Sequence, residues 1–390
     1  MIRGKSVAKL FCMFSAVAAL ALLGFTPGAR LAAQSTHAGA VYVLSNRPAE
    51  NAVIVFHRTA QGALEPVGSF PTGGAGFGSG PNPLGSQGSL ILSSDNRLLF
   101  AVNAGSDSIT AFAVAGDALT PLQTISSGGT QPVSLTVYHD ILYVLNAGGA
   151  SPNITGFRIV PEAQQSKTLV PILGSTQPLP DGDAATPAEI SFSPDGRAIV
   201  VTEPGANQIV SFAVSQSGQA SLVNTLSVAG SGPFGLAFSQ NSFALTANTA
   251  HGTPQSGSMS SYRVSESAEL TPVSPPVMNN QTASTWATVT GDGRTAFTSN
   301  ILSGTISSYA VSRADGSLTL VQPTAASLVA RDGSSLMPAG MALSNNGRYL
   351  YVRNGGNQTV SGFLIGSDGS LTPVAQASGL PKTAAGIAAR

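Results

Sequence analysis

Short apolar runs recur along almost the whole chain, each closed by a turn rich in Gly, Pro, Asn or Asp. Tyr349-Leu-Tyr-Val-Arg-Asn354 leads through Gly-Gly-Asn to Thr359-Val-Ser-Gly-Phe-Leu364. The second piece alternates apolar with polar residues, the pattern of a half-buried strand. Matching pairs span 41–56, 99–112, 142–157, 199–212, 243–262 and 296–309, which makes seven units. A tight turn precedes several of them: Phe192-Ser-Pro-Asp-Gly-Arg197, with relatives at Ser94-Asp-Asn-Arg97, Gly291-Asp-Gly-Arg294 and Asn345-Asn-Gly-Arg348. Asp-Gly and Asn-Gly tolerate positive φ and therefore close hairpins. A second recurring piece is Leu64-Glu-Pro-Val67, Leu119-Thr-Pro-Leu122, Leu270-Thr-Pro-Val273 and Leu371-Thr-Pro-Val374. Turns such as Asp315-Gly-Ser317 and Asp368-Gly-Ser370 stand just before pieces of this kind.

The polar residue that ends each unit's second strand is Asn46, Asn103, Asn146, Glu203, Asn248, Asn300 or Asn354, at intervals of 43 to 57 residues. That interval holds a four-stranded antiparallel sheet with short turns. One such sheet cannot bury both faces alone, whereas seven arranged radially can. The expected fold is therefore all-β, a seven-bladed β-propeller; a pair of β-sandwiches fits seven equal units less well. The first unit lacks an inner strand before Val41. Ala384-Ala-Gly-Ile-Ala-Ala389 supplies one, closing the ring and removing two exposed edges. The Gly/Pro-rich stretch from Thr72 to Gly88 lacks the ending of a phosphate-binding loop and reads as a flexible rim segment.

Composition narrows the classes. Gly (44) and Pro (25) are too frequent for a helical fold, and 18 basic against 18 acidic residues give no basic excess for nucleic acid. Residues 1–33 read as a secretory signal peptide: Arg3, Lys5 and Lys9 precede an apolar run from Leu10 to Phe25, and cleavage is expected after Ala33. That run is short for a membrane span. Residues 34–390 would then be a single propeller domain, periplasmic or secreted, monomeric, with no membrane contact after cleavage. It would carry 14 basic and 18 acidic residues and no cysteine, because Cys12 lies in the leader. Disulfides, thiolate metal sites and cysteine nucleophiles are thereby excluded. No metal motif and no Gly-x-Ser-x-Gly elbow is present, and no cofactor is expected.

The Ser-Pro-Asp-Gly-Arg turn, the Tyr-Val-x-Asn strand end and the Asp-Gly-Ser-Leu-Thr-Pro-Val turn together resemble the 6-phosphogluconolactonase-like β-propeller lactonases and the related Tyr-Val-Thr-Asn repeat propellers. The resemblance covers about residues 40–390. It implies a site on the ring face where the loops after each second strand converge with the segments leading into each inner strand. It also implies a His pair before one inner strand, a Pro-Arg-His approach to the next, and Asn-Glu ending that blade's second strand. Here Thr186-Pro-Ala188 stands at the His pair. Phe234 and Gly235 replace Arg and His within Gly232-Pro-Phe-Gly-Leu-Ala-Phe238, and Thr249 replaces the Glu after Asn248. Lactone hydrolysis needs a base to activate water and donors for the developing oxyanion; Phe and Gly side chains supply neither.

The side chains that could still do chemistry are few. Glu203 keeps an acid, in Glu203-Pro-Gly205, and Glu189 lies near the same blade's inner strand. The two either form an acid/base pair or cation site, or bond loop amides. His251 follows Asn248 in an enlarged loop and is either a surface residue or a site residue; His37, His57 and His139 read as solvated or packed surface residues. Arg47 and Arg353 flank the closure, where they either hold an anionic group or are solvated or salt-bridged. Asn103, Asn146, Asn248, Asn300 and Asn354 line the loop face as loop ties or ligand contacts, and Trp286 faces the channel or packs in the core. The catalytic set of an active enzyme would be Glu203, His251 and Arg353. Three functions remain open: an exported propeller that binds a small molecule (a sugar or carboxylate lactone) or a protein partner at a degenerate site, a diverged lactone hydrolase, and a cell-surface scaffold.

Overall fold

The computed structural model describes Met1, residues 39–160 and residues 168–390; the expected leader, its cleavage point and His37 lie outside them. Seven antiparallel sheets follow one another around a ring, and all but the first are ordered from the hub outward in chain order. Blade 2, for example, runs Leu90–Leu92, Leu98–Asn103, Ser108–Ala115 and Ala118–Ser126. Blade 4 runs Glu189–Phe192, Ala198–Glu203, Gln208–Val214 and Ala220–Ser227. Blade 3 alone adds a fifth short strand, Gln177–Pro178, at its rim. No helix of the described residues is long and apolar enough to cross a membrane.

The apolar runs follow from this stacking. Ile199, Val201 and Phe212 of blade 4 pack on Tyr143, Leu145 and Ile154 of blade 3. Ala198, Val200 and Ile209, which alternate with them, pack toward blade 5 on Leu236 and Tyr262. Both faces of a middle strand are thus buried, at about 1.5–3 kcal/mol per large side chain.

Four inner hairpins, those of blades 2, 4, 6 and 7, are closed by the same bonded turn. The Ser193 hydroxyl donates to Asp195 Oδ1 at 2.5 Å, which accepts the Arg197 amide at 3.1 Å. Thr290 and Asp292 do the same for Arg294, and Ser344 and Asn346 for Arg348. In this turn the Arg contributes its backbone amide.

The ring closes as expected. The last strand, Ala385–Ala389, is the innermost strand of blade 1, with Tyr42 opposite Ala388 and Val43 opposite Ile387. Across the seam the Tyr351 hydroxyl donates to Gly62 O at 2.9 Å and Arg58 Nε to Arg390 O at 3.0 Å.

Two expectations need correction. His57 is buried, and its Nδ1 lies 2.8 Å from Asp117 Oδ2 of blade 2. The stretch from Thr72 to Gly88 is an ordered thread across the hub rather than a flexible rim. Gly76 and Gly78 amides donate to Arg47 O and Asn46 O of blade 1, and Gly105 of blade 2 donates to Ala75 O. Ser86 Oγ donates to Val133 O of blade 3 at 2.8 Å, and the Gln87 amide donates to Ala188 O beside blade 4 at 3.0 Å. Gln87 then bonds blades 5 and 6, while Pro81 O accepts from Arg353 of blade 7. Glycine and proline are frequent here because the thread passes close to other backbone: a Cβ at Gly105 would collide with Gly76 O, and one at Gly76 with the Asn46 backbone.

Candidate functional site

The loop face of the hub is where functional side chains would converge, and this chain fills it with its own residues. Gln87 Nε2 donates to Ala287 O at 2.8 Å and Leu236 O at 3.3 Å, and its Oε1 accepts the Ala287 amide at 3.0 Å. Gly235 makes this possible: a Cβ there would meet Ala287 N at 2.5 Å, Thr285 O at 2.5 Å and Gln87 Oε1 at 2.7 Å. Phe234, its neighbour, sets its ring edge-on to Trp286 at 5.4 Å. Trp286 is buried among Phe297, Ala339 and Met341, so it is a packing residue. Thr249 Oγ1 donates to Gly232 O at 3.1 Å.

Beneath Gln87 a channel of about 300 Å³ remains, walled by Leu90, Leu135, Val137, Ile190, Ser191, Met341 and Ile387. Glu189 lies in its wall, buried, and accepts the Leu236 amide. Burial raises its pKa well above the usual carboxyl range, and that amide and Gln87 offset the effect only in part. On the loop face a cavity of about 280 Å³ lies between Gly80–Pro81 and blade 7, with Gln358 and the exposed Lys382 at its wall. A larger cavity among the described residues, about 850 Å³, is away from the hub, beside Asp95, Arg97, His139 and Asp140 of blades 2 and 3.

The two acids singled out from the sequence are not brought together. Glu189 pairs in register with Thr202, and both point toward blade 5, where the Thr202 hydroxyl donates to Phe234 O at 2.6 Å. Glu203, one residue on, faces blade 3, where its neighbour is Asp181. Burial, reinforced by the Asp181 carboxyl, pushes its pKa up to about 8. Asp181 carried no motif or spacing; only its place in Asp181-Gly-Asp183, just before the inner strand of blade 4, could have marked it.

The remaining candidates stand apart. Arg353 is buried, donating Nη1 to Pro81 O at 3.0 Å and Nη2 to Ala339 O, and burial lowers its pKa to about 9. Arg47 is exposed, so the two do not form an anion clamp. His251 is exposed, with positive φ (50°) in a one-turn helix. No hydrogen bond or ion pair among the described residues joins Glu203, His251 and Arg353. The asparagines are loop ties. Asn103 Nδ2 donates to Ser108 and Thr110, Asn248 to Ser258 and Ser260, Asn300 to Thr305 and Ser307, and Asn354 to Thr359 and Ser361. Asn146 donates to Asn153 Oδ1. Among the described residues no group of three or more His, Cys, Asp or Glu could hold a metal.

The sequence matches the family profile described as lactonase, 7-bladed beta-propeller, over residues 25–172, 171–281 and 256–382. No curated protein matches it. Among solved structures it is similar to a provisional 6-phosphogluconolactonase of Bacteroides fragilis, at 21% identity and TM-score 0.66, covering 91% of this chain and 99% of the other. It is also similar to a Lactobacillus plantarum protein, at 18% identity and TM-score 0.67, covering 90% and 99%. A third is the periplasmic gluconolactonase of Pseudomonas aeruginosa, at 16% identity and TM-score 0.64, covering 88% and 98%. At these identities the likeness is one of fold.

Proposed function

The chain belongs to the lactonase, seven-bladed β-propeller family, and from that premise we propose that it is an exported member that binds a small ligand or a protein partner and does not hydrolyse it. One observation carries this: where the resemblance calls for Arg and His, Phe234 packs on Trp286 and Gly235 makes room for Gln87. No side chain at these positions activates water or holds an oxyanion. The cavity left beside Lys382 and Gln358 suits a small carboxylate, such as an opened lactone, better than it suits turnover. The apolar run after Arg3, Lys5 and Lys9 supports export.

The test is the protein lacking residues 1–33, assayed by proton release against sugar and aromatic lactones, with thermal shift on the lactones and their acids. Hydrolysis at the spontaneous rate, with a stabilising shift from at least one acid, is expected. A second reading, lactone hydrolysis, is favoured by the family itself and by the acid pair of Glu203 and Asp181, the remaining candidate base. Turnover abolished by Glu203→Gln would establish that reading and overturn the first.

A further inference from the structure

Five of the blades tie the loop after their second strand with an asparagine whose amide donates to side-chain oxygens of the third strand, as described for Asn103, Asn146, Asn248, Asn300 and Asn354. Blade 4 has lost both halves of this device. Glu203 stands at the asparagine position, and the positions opposite it and two residues beyond are Gln208 and Val210. Glu203 is 0% exposed, no N–H or hydroxyl of the described residues donates to either of its carboxylate oxygens, and its side chain lies within hydrogen-bonding reach of Asp181, whose Oδ2 is also buried. No ion pair among the described residues reaches either side chain. Two adjacent carboxyl groups, one fully buried and one half-buried, with three buried oxygens that no N–H or hydroxyl reaches and no cationic side chain beside them, are costly to hold when ionised.

The surrounding chain offers oxygen as well. Glycine at 205 lets the loop after Glu203 press against Ala184 O and Thr186 Oγ1, which a Cβ there would strike, and the Gly205 amide donates to Ala185 O at 3.1 Å. The groups that this loop gathers beside Gly205 are carbonyl and hydroxyl oxygens, and with the two carboxylates they offer oxygen rather than the nitrogen or sulfur that zinc or copper prefers. An oxygen-only set of loose geometry suits calcium, which takes six to eight oxygens and accepts water among them; magnesium demands a stricter octahedron.

We propose that Asp181 and Glu203 are the charged ligands of a calcium site that ties the segment leading into blade 4 to that blade's own loop, in the place the asparagine tie occupies elsewhere. The pair is the same one that the hydrolytic reading would use as its base, so the calcium measurements are made in the absence of lactone and read binding alone. With two carboxylates and the rest of the shell from backbone, hydroxyl and water, its affinity belongs in the range of extracellular calcium modules, about 10⁻⁴–10⁻³ M.

The experiment uses the protein lacking residues 1–33, stripped with chelator and held at pH 8. Calcium chloride at ten times the expected dissociation constant should raise the melting temperature by about 3 °C, and magnesium by less. Glu203→Gln and Asp181→Asn, each near-isosteric, should fold and each lose the calcium shift, with a melting temperature in chelator at pH 8 equal to or above that of the wild type. Calorimetric titration should give one site in the wild type and none in either variant. Absence of a calcium shift in the wild type overturns the proposal, as does a shift that persists in both variants. Should one variant fail to fold, the other decides.

Discussion

Blades 4 and 6 end their second strands at equivalent places in the ring and differ in how that end is bonded. Asn300 donates to Thr305 and Ser307 and accepts from Asn279 Nδ2 at 3.1 Å and Ser284 Oγ at 2.7 Å. Glu203 has none of these partners. The residue that the repeat makes most conspicuous, the strand-end asparagine, is therefore a structural tie. Chemistry is to be sought where the tie is missing.

Three measurements would break or sharpen that contrast. Asn300→Ala removes one hydrogen bond from each of four buried groups, which keep only Gln281, Pro323 O and each other as partners, and should lower the urea unfolding free energy by about 2–4 kcal/mol; a loss below about 1 kcal/mol would mean that the tie is ornamental. Glu203 should do the reverse with pH. Its folded pKa, pushed up to about 8 by burial and by Asp181, exceeds the unfolded value near 4.3. The folded protein thus holds the proton more tightly between those limits. In chelator, stability should fall as pH rises from about 4.5 to about 8 and change little beyond, by a few kcal/mol in all. Glu203→Gln should flatten its share of that slope, leaving the contribution of Glu189, which has the same sign. A slope unchanged in the variant would show that Glu203 is hydrated and ordinary. The smallest effect belongs to the hub: Gly235→Ala forces a methyl against Ala287 N, Thr285 O and Gln87, and should cost about 1–3 kcal/mol in thermal or urea unfolding. A neutral result would mean that the hub around Gln87 yields readily.

Much of the fold was legible because its causes are local. Asp-Gly and Asn-Gly hairpins, alternating strands and the orphaned apolar run at 384–389 each follow from short-range chemistry repeated seven times. The site was less legible because its causes are non-local. Nothing in the spacing of Gln87 announces that it reaches Leu236 and Ala287, about 150 and 200 residues away. A run of Gly and Pro reads as a flexible loop when the surfaces it threads between are unseen. Glu189 and Glu203 lie near each other along one blade, yet strand alternation sends them to opposite faces; pairing them required ignoring the pleat, and Asp181 carries no repeat to flag it.

The thread from Thr72 to Gly88 has one more consequence. It starts at blade 1, spans the axle, bonds in turn to parts of every other blade, and reaches its farthest contacts through a single side chain, Gln87. An eighth blade would widen the axle and draw the Leu236 and Ala287 carbonyls away from Gln87, so the thread is a brace fitted to seven.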